Sequence, residues 1–225
     1  MKKELTAPRL GTPGVYEETF REGPAVLLSV RARWPQLEGE GPGLRRINRY
    51  YDALAQRWKK RWAGSLLERA KAANQPDSPP WEAALTFQLR LFQEDLLSLT
   101  WESMESTGQR RPRRIRQGDV WRLPQGVPLT LRELLPPARS WRRDAVAEIL
   151  RQIEVRTASG ESAFLPDWPR LASRAFSPGR FYLTQEGPVV FYPVEAIAPA
   201  LEGFPEFPLF SLLPSQGEEA HQTSS

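Results

Sequence analysis

Apolar residues recur at two spacings along the chain, and each spacing predicts one kind of element. In three stretches, 25–34, 85–91 and 97–101, about every second residue is apolar, which is typical of a strand with one buried face. The predicted strands are 15–20, 25–34, 85–91, 97–101 and 113–123. We expect the first at a sheet edge, the third and fourth as a hairpin, and the polar last strand at an edge or with an exposed face.

A spacing of three or four residues predicts two helices. The first covers 44–73, and its apolar stripe consists of Leu44, Ile47, Tyr51, Leu54, Trp58, Trp62, Leu66 and Ala70. Its other face carries six basic side chains that we interpret as solvated: Arg45, Arg46, Arg49, Lys59, Lys60 and Arg61. The second covers 141–153, with Ser140 as its N-cap, and Asp167 is the predicted cap of a short third helix. We interpret Trp58 and Trp62, one turn apart, as core residues and not as a ligand platform.

The densest apolar stretch of the chain is 181–210. It predicts a strand FYLT, a turn, a strand PVVFY, a turn between prolines, and a last strand FPLFSLL. Together these elements predict an α+β fold, with a mainly antiparallel mixed sheet of about six strands and both helices packed on it. The predicted division is a flexible lead (1–14), a strand-helix subdomain (15–80), a C-terminal domain (81–213) and a disordered tail (214–225).

Composition excludes several kinds of chemistry. The 225 residues include no cysteine and one histidine, His221, which lies in the polar tail. Disulfides, thiolate metal sites and cysteine or histidine catalysis are therefore not expected. Two carboxylate pairs, Glu102 with Glu105 and Glu195 with Glu206, are interpreted as ordinary surface acids, because nothing in the sequence fixes their separation. We predict that the protein is not an enzyme and holds no cofactor or metal.

The net charge of +4 favours anionic partners only mildly. The N-terminus lacks the apolar core of a secretory signal, and no run of about 20 apolar residues is long enough to span a bilayer. The sequence therefore predicts a cytoplasmic protein without a membrane span, and it leaves the oligomeric state open.

Five arginines fall within seven residues at the expected tip of a hairpin: Arg110, Arg111, Arg113, Arg114 and Arg116. They are the candidate partner-binding residues, for an anionic polymer or an acidic protein face. The competing interpretation is that the run only keeps a strand edge soluble. Nucleic acid is a disfavoured partner, because no helix-turn-helix, zinc finger or stacking motif accompanies the run.

Two motifs resemble the RsiV-like family, the C-terminal domain of lysozyme-sensing anti-sigma factors that also precedes the catalytic domain of PdaC-type peptidoglycan deacetylases. The first motif is the run from Phe181 to Gly203, and the second is the run from Pro35 to Gly39 followed by Ile47 and Asn48. The matching positions expected to be structural are Pro35, Gln36, Gly39, Asn48, Tyr182, Ile197, Ala198, Pro199 and Gly203.

The chain also departs from the family pattern. A Gly-rich loop containing histidine is replaced by ESTGQRRP at 105–112, and Ala200 stands where the family has tyrosine. The resemblance implies a non-catalytic binding or sensing domain, with a protein or cell-wall-type ligand. It also implies a place outside the membrane, in conflict with the cytoplasmic location that the sequence predicts.

Overall fold

The computed structural model describes residues 8–75, 78–93, 95–108 and 111–213. The chain divides into two compact units. The first comprises residues 1–117 and 121–128, and the second comprises 118–120 and 129–225. Arg110, His221 and the predicted tail at 214–225 lie outside the described residues.

The first unit is built on a six-stranded mixed sheet, which confirms the predicted α+β class. The strands of the unit are β1 (Arg9–Leu10), β2 (Gly14–Glu22), β3 (Ala25–Trp34), β4 (Leu37–Glu38), β5 (Trp81–Phe92), β6 (Leu96–Ser106), β7 (Arg113–Arg122) and β8 (Val127–Pro128). The order in the sheet is β2-β3-β5-β6-β7-β8. Strands β3 and β5 are parallel, whereas β2 with β3, β5 with β6 and β7 with β8 are antiparallel.

The small strands β1 and β4 form a separate antiparallel pair, in which Arg9 lies opposite Glu38. Their side chains also form an ion pair, with 2.6 Å between Arg9 Nη2 and Glu38 Oε2. Two residues of the lead predicted over 1–14, Arg9 and Leu10, therefore form a strand.

One long helical segment packs on the inner face of this sheet. It consists of α1 (Pro42–Arg61), one π-helical turn (Trp62–Leu66) and α2 (Leu67–Ala73). Apolar residues of α1 and the π turn are buried against alternate residues of β3, β5 and β6, as the pattern predicts. The deepest contacts of this core include Ile47, Leu28 and Leu99, each with 0% of its surface exposed.

The second unit has its own sheet and helices. Its elements are α3 (Leu131–Leu134), α4 (Trp141–Ser159), α5 (Trp168–Ala175), β9 (Phe181–Leu183), β10 (Pro188–Phe191) and β11 (Glu206–Pro208). The sheet is antiparallel in the order β11-β10-β9. The predicted second helix corresponds to α4, which belongs to this second unit.

Two local predictions in the second unit also need correction. The last strand is shorter than FPLFSLL: it ends at Pro208, which has no N–H to donate, and a 3₁₀ turn follows at Phe210–Leu212. Ser140 and Asp167 occupy the N-cap positions of α4 and α5, but neither side chain caps the backbone. Instead Ser140 donates to Asp144, and Asp167 accepts from Arg170.

The predicted subdomain limits, 15–80 and 81–213, cut across the first unit. Strand β5 begins at Trp81 and pairs in parallel with β3, so that Leu28 lies opposite Trp81 and Ala32 opposite Leu85. This pairing places both sides of residue 80 in one sheet.

Candidate functional site

Three arginines of the run, Arg113, Arg114 and Arg116, lie on β7, whose successive side chains point to opposite faces, so these three do not form a single patch. Within β7, Arg114 and Arg116 both bind Glu102 of the neighbouring strand β6. The distances are 2.8 Å from Arg114 Nη2 to Oε2 and 2.6 Å from Arg116 Nη2 to Oε1. Arg111 and Arg113 are exposed.

Glu102 is held ionised by these two arginines. Its partial burial opposes ionisation, but the hydrogen bonds and charges of Arg114 and Arg116 outweigh burial and keep the pKa of Glu102 below its usual value. A cavity of about 210 Å³ lies at this cluster and is also lined by Thr86, Gln88 and Thr100. Arg114 and Arg116 are therefore bound to Glu102 of the same chain, and an anionic partner would have to share them with this carboxylate.

The opposite face of the same strands holds a second ion pair. Arg61 of α1 donates from Nε to Glu105 Oε1 over 2.6 Å and from Nη2 to Oε2 over 2.8 Å. Glu105 is 6% exposed. Burial favours its neutral form, but the Arg61 hydrogen bonds and the charges of Arg61 and Arg113 outweigh it, so the pKa of Glu105 is lowered.

This pair contradicts two interpretations of the sequence. Glu105 is a buried acid and not a surface one, and Arg61 is not part of a solvated face. Lys59 is not fully solvated either, because its ammonium group lies 4.1 Å from the centroid of the Tyr16 ring. Glu102 and Glu105 also do not act as a carboxylate pair, since each is bound to arginines of its own.

A groove in the first unit lies beside the Arg61–Glu105 pair. Its volume is about 500 Å³, and it is lined by Tyr50, Leu54, Arg57, Trp58 and Arg61 of α1, Trp101 of β6 and Gln117 of β7. We call this the α1 groove. Cavities of this size accept small molecules or single side chains of a partner.

The α1 groove brings flat apolar rings next to cationic groups. The Arg61 guanidinium lies 6.0 Å from the Trp58 ring centroid. Trp58 is half-buried, and its ring lies 5.8 Å from that of the buried Trp62. Trp62 is thus a core residue, as predicted, whereas Trp58 also lines the groove.

Sequence reasoning missed the α1 groove. The helix residues that line it share one flank of α1, at positions 50, 54, 57, 58 and 61, which continues the spacing of three and four. That spacing is visible in the sequence. The positions of Trp101 and Gln117 at the groove cannot be predicted from the sequence, because they depend on how β6 and β7 lie beside the helix.

The upstream family motif ties the chain after β3 to α1. The Asn48 side chain accepts from the Leu37 N–H over 2.8 Å and donates to the Leu37 carbonyl over 2.9 Å. Asp52, one turn further along, accepts from the side chains of Trp34 and Gln36. Pro35 is buried, and Gly39 has a φ of 131°, which favours glycine.

The downstream motif lies in the core of the second unit. Tyr182 donates to Glu206 over 2.7 Å, and Ile197 and Ala198 are buried, with 0% and 1% of their surfaces exposed. Pro199 and Gly203 bracket a 3₁₀ turn, and Gly203 has a φ of 66°. A structural role for these motif positions stays a prediction from the sequence.

Solved structures similar to this chain include two proteins of the DUF3298 family. One is a DUF3298 family protein from Pseudomonas aeruginosa PAO1, at 15% identity and a TM-score of 0.57, over 89% of this chain and 88% of that chain. The other is a DUF3298 family member from Bacteroides fragilis NCTC 9343, at 14% identity and a TM-score of 0.61, over 89% and 90%. The chain shares the fold of these proteins.

At such identities the likeness extends to the fold alone. No family profile matches the sequence, and no curated protein matches it. Both DUF3298 proteins carry the name of a family of unknown function, so the part of this chain that binds a partner has to be argued from its own residues.

Among the residues that the structure describes, no three His, Cys, Asp or Glu side chains lie close enough together to bind a metal ion. Nor does any helix among the described residues have the length and apolar character needed to cross a membrane.

Proposed function

We propose that this chain is a non-catalytic binding or sensing domain of the RsiV-like kind, which takes a protein or cell-wall-type ligand in the α1 groove. The observation that carries the proposal is the groove itself, where Tyr50, Trp58 and Trp101 stand beside two guanidinium groups. The motifs that resemble the RsiV-like family and the fold shared with DUF3298 proteins support it.

The composition of the groove suits recognition. Tyrosine, tryptophan and arginine are enriched at binding hot spots, and the two aromatic residues bury a large area while losing little conformational freedom. Rings also stack on the apolar faces of sugars and side chains alike. In contrast, no carboxylate is among the described residues that line the groove, and Glu105 beside it is already bound through both oxygens to Arg61.

The rival proposal is an anionic polymer or nucleic acid bound through the arginine run. It requires the arginines to act together, yet Arg114 and Arg116 share Glu102. A polymer binder of this kind loses affinity steeply with salt and when Arg110, Arg111, Arg113 and Arg114 are replaced by alanine. We expect neither effect on the binding of the natural ligand.

The test is a capture experiment with three immobilised proteins: the native chain, Trp58→Leu and Arg49→Gln. The probes are soluble peptidoglycan fragments and the soluble proteins of the native cell. We expect a ligand that the native chain and Arg49→Gln retain and Trp58→Leu loses, because Arg49 is exposed on α1 and does not line the groove. A ligand retained equally by all three proteins, or no ligand at all, would refute the proposal.

The cytoplasmic location stays a prediction from the sequence, and the family resemblance proposes the opposite side of the membrane. Fractionation of the native cell with an antibody to the chain decides between them.

A further inference from the structure

We infer that the α1 groove selects a ligand in which a carboxylate is attached to a ring, either an aromatic acid or a sugar acid. The inference rests on the proposed function and names the chemical class of the ligand. It is drawn from the charges that face the groove and from the arrangement of its rings.

The charges at the groove do not balance. Two guanidinium groups, those of Arg57 and Arg61, line it. The carboxylate at the groove is Glu105, which faces Arg61 through both of its oxygens. Glu105 therefore balances the charge of Arg61 but not that of Arg57, and an anionic ligand supplies the missing charge.

Arg57 is the guanidinium that meets the ligand. Its side chain is exposed at the rim of the groove, and it forms no ion pair within the described ranges of the chain. Arg61 already donates from Nε and one Nη to Glu105, so it attracts the ligand by its charge more than by hydrogen bonds. A carboxylate at Arg57 can accept two parallel hydrogen bonds from the fork of its guanidinium.

The rings of the groove define the rest of the ligand. Trp58 and Tyr50 lie on one helix flank, two turns apart, and Trp101 faces them from β6. Rings in such positions bind another flat or apolar-faced ring by stacking or edge contact. Gln117 adds an amide that can donate to and accept from a hydroxyl or carbonyl of the ligand.

The experiment is a titration of the whole chain, followed by tryptophan fluorescence and checked by calorimetry. The probes are two matched pairs: phenylacetate with phenylacetamide, and glucuronate with glucose. We expect one of the acids to bind at least about tenfold more tightly than its neutral partner, the worth of one hydrogen-bonded charge pair. The pair that shows the difference tells whether the ring is aromatic or a sugar.

Three variants assign the effect to Arg57. In Arg57→Gln the acid should bind no better than its neutral partner, whereas Arg57→Lys should keep part of the difference and Arg49→Gln all of it. Arg57 is exposed, so the melting temperature of Arg57→Gln should equal that of the native chain.

Failure of this inference is distinguishable from failure of the proposed function. If the neutral partner binds as tightly as the acid, and Trp58→Leu abolishes both, the groove is a binding site but its selectivity for carboxylates is refuted. If no probe binds at all, the inference is refuted, and the capture experiment alone then decides on the proposed function.

Discussion

Arg61 and Glu105 meet through two hydrogen bonds of 2.6 and 2.8 Å between a helix and the inner face of the sheet. Only 7% of the Glu105 side chain is exposed, against 36% of the Arg61 side chain. Glu105 therefore belongs to the core, whereas Arg61 lines the α1 groove. A change in this pair should alter both the stability of the first unit and the charge at the groove.

Arg61→Ala should destabilise the first unit by about 3 kcal/mol, because it leaves a buried carboxylate without its partner. The pKa of Glu105 should rise in this variant, since burial then acts without compensation. Urea unfolding measures the first effect and carboxyl NMR titration the second. Lys60→Ala, an exposed neighbour on the same helix, is the control. Equal unfolding midpoints for Arg61→Ala and Lys60→Ala would show that the pair contributes nothing.

Gly43→Ala should be strongly destabilising, whereas Gly64→Ala should not. A Cβ on Gly43 would lie 2.5 Å from the Leu123 carbonyl oxygen and 2.7 Å from the Gly126 nitrogen, which are backbone atoms that cannot rotate away. We expect a loss of about 1–3 kcal/mol from this overpacking.

Gly64 is the matched control within the same helical segment. Apart from the backbone of its own helical turns and its two chain neighbours, nothing lies within 4 Å of the Cβ that Gly64→Ala would add. The variant should gain about 0.5–1 kcal/mol, because alanine loses less conformational freedom than glycine in a helix. Thermal unfolding of the two variants side by side makes the comparison. A loss of equal size in both would mean that the close approach at Gly43 has no energetic effect.

Asn48→Ala should release β4 from α1. The variant loses both side-chain hydrogen bonds to Leu37, at a cost of about 1–3 kcal/mol. Hydrogen exchange of the Leu37 amide should accelerate, while exchange in β6 should change far less. Asn48→Asp should restore little, because a carboxylate accepts from the Leu37 N–H but cannot donate to its carbonyl. Unchanged protection at Leu37 in Asn48→Ala would contradict this account of the upstream motif.

Glu148 should make helix α4 sensitive to acid. Arg151 donates two hydrogen bonds to it and Gln152 one, and the Arg151 hydrogen bond is the largest cause that lowers the pKa of Glu148 to about 2. Because the folded value lies below the ordinary one, the stabilisation is complete above about pH 4.5 and is lost as the pH falls toward 2.

The size of this effect is limited by solvent, since the Arg151 side chain is 60% exposed. We expect about 1–2 kcal/mol between pH 6 and pH 3 after this screening. Glu148→Gln should remove that pH-dependent part, whereas Glu154→Gln, at an exposed position on the same helix, should keep it. Amide hydrogen exchange in α4 at the two pH values measures it. Identical pH dependence in the native chain and Glu148→Gln would refute the assignment.

Most strands and helices are predictable from the sequence because their residues have one apolar and one polar face. The strand over Ala25–Trp34 and the long helix after Pro42 show this clearly. The assignment of α4 to a second unit is not predictable in this way. Periodicity identifies a buried face, but the partner of that face depends on long-range contacts.

The site was less accessible to prediction for the same reason. The arginine run is conspicuous in the sequence, yet the alternation of β7 places Arg114 and Arg116 against Glu102. In the sequence Glu105 looks like a surface acid. Its burial depends on Arg61, which lies across the helix–sheet interface and offsets the cost of removing the carboxylate from water. Polar pairs of this kind are set by tertiary packing and leave no local pattern.

The most direct test of the binding proposal is the indole N–H spectrum of the chain during titration with its captured ligand. The signals of Trp58 and Trp101, which line the α1 groove, should shift together and saturate at one ligand per chain. The signal of Trp168, in the second unit, should stay in place. A ligand that shifts Trp168 and leaves Trp58 and Trp101 unmoved would contradict the account.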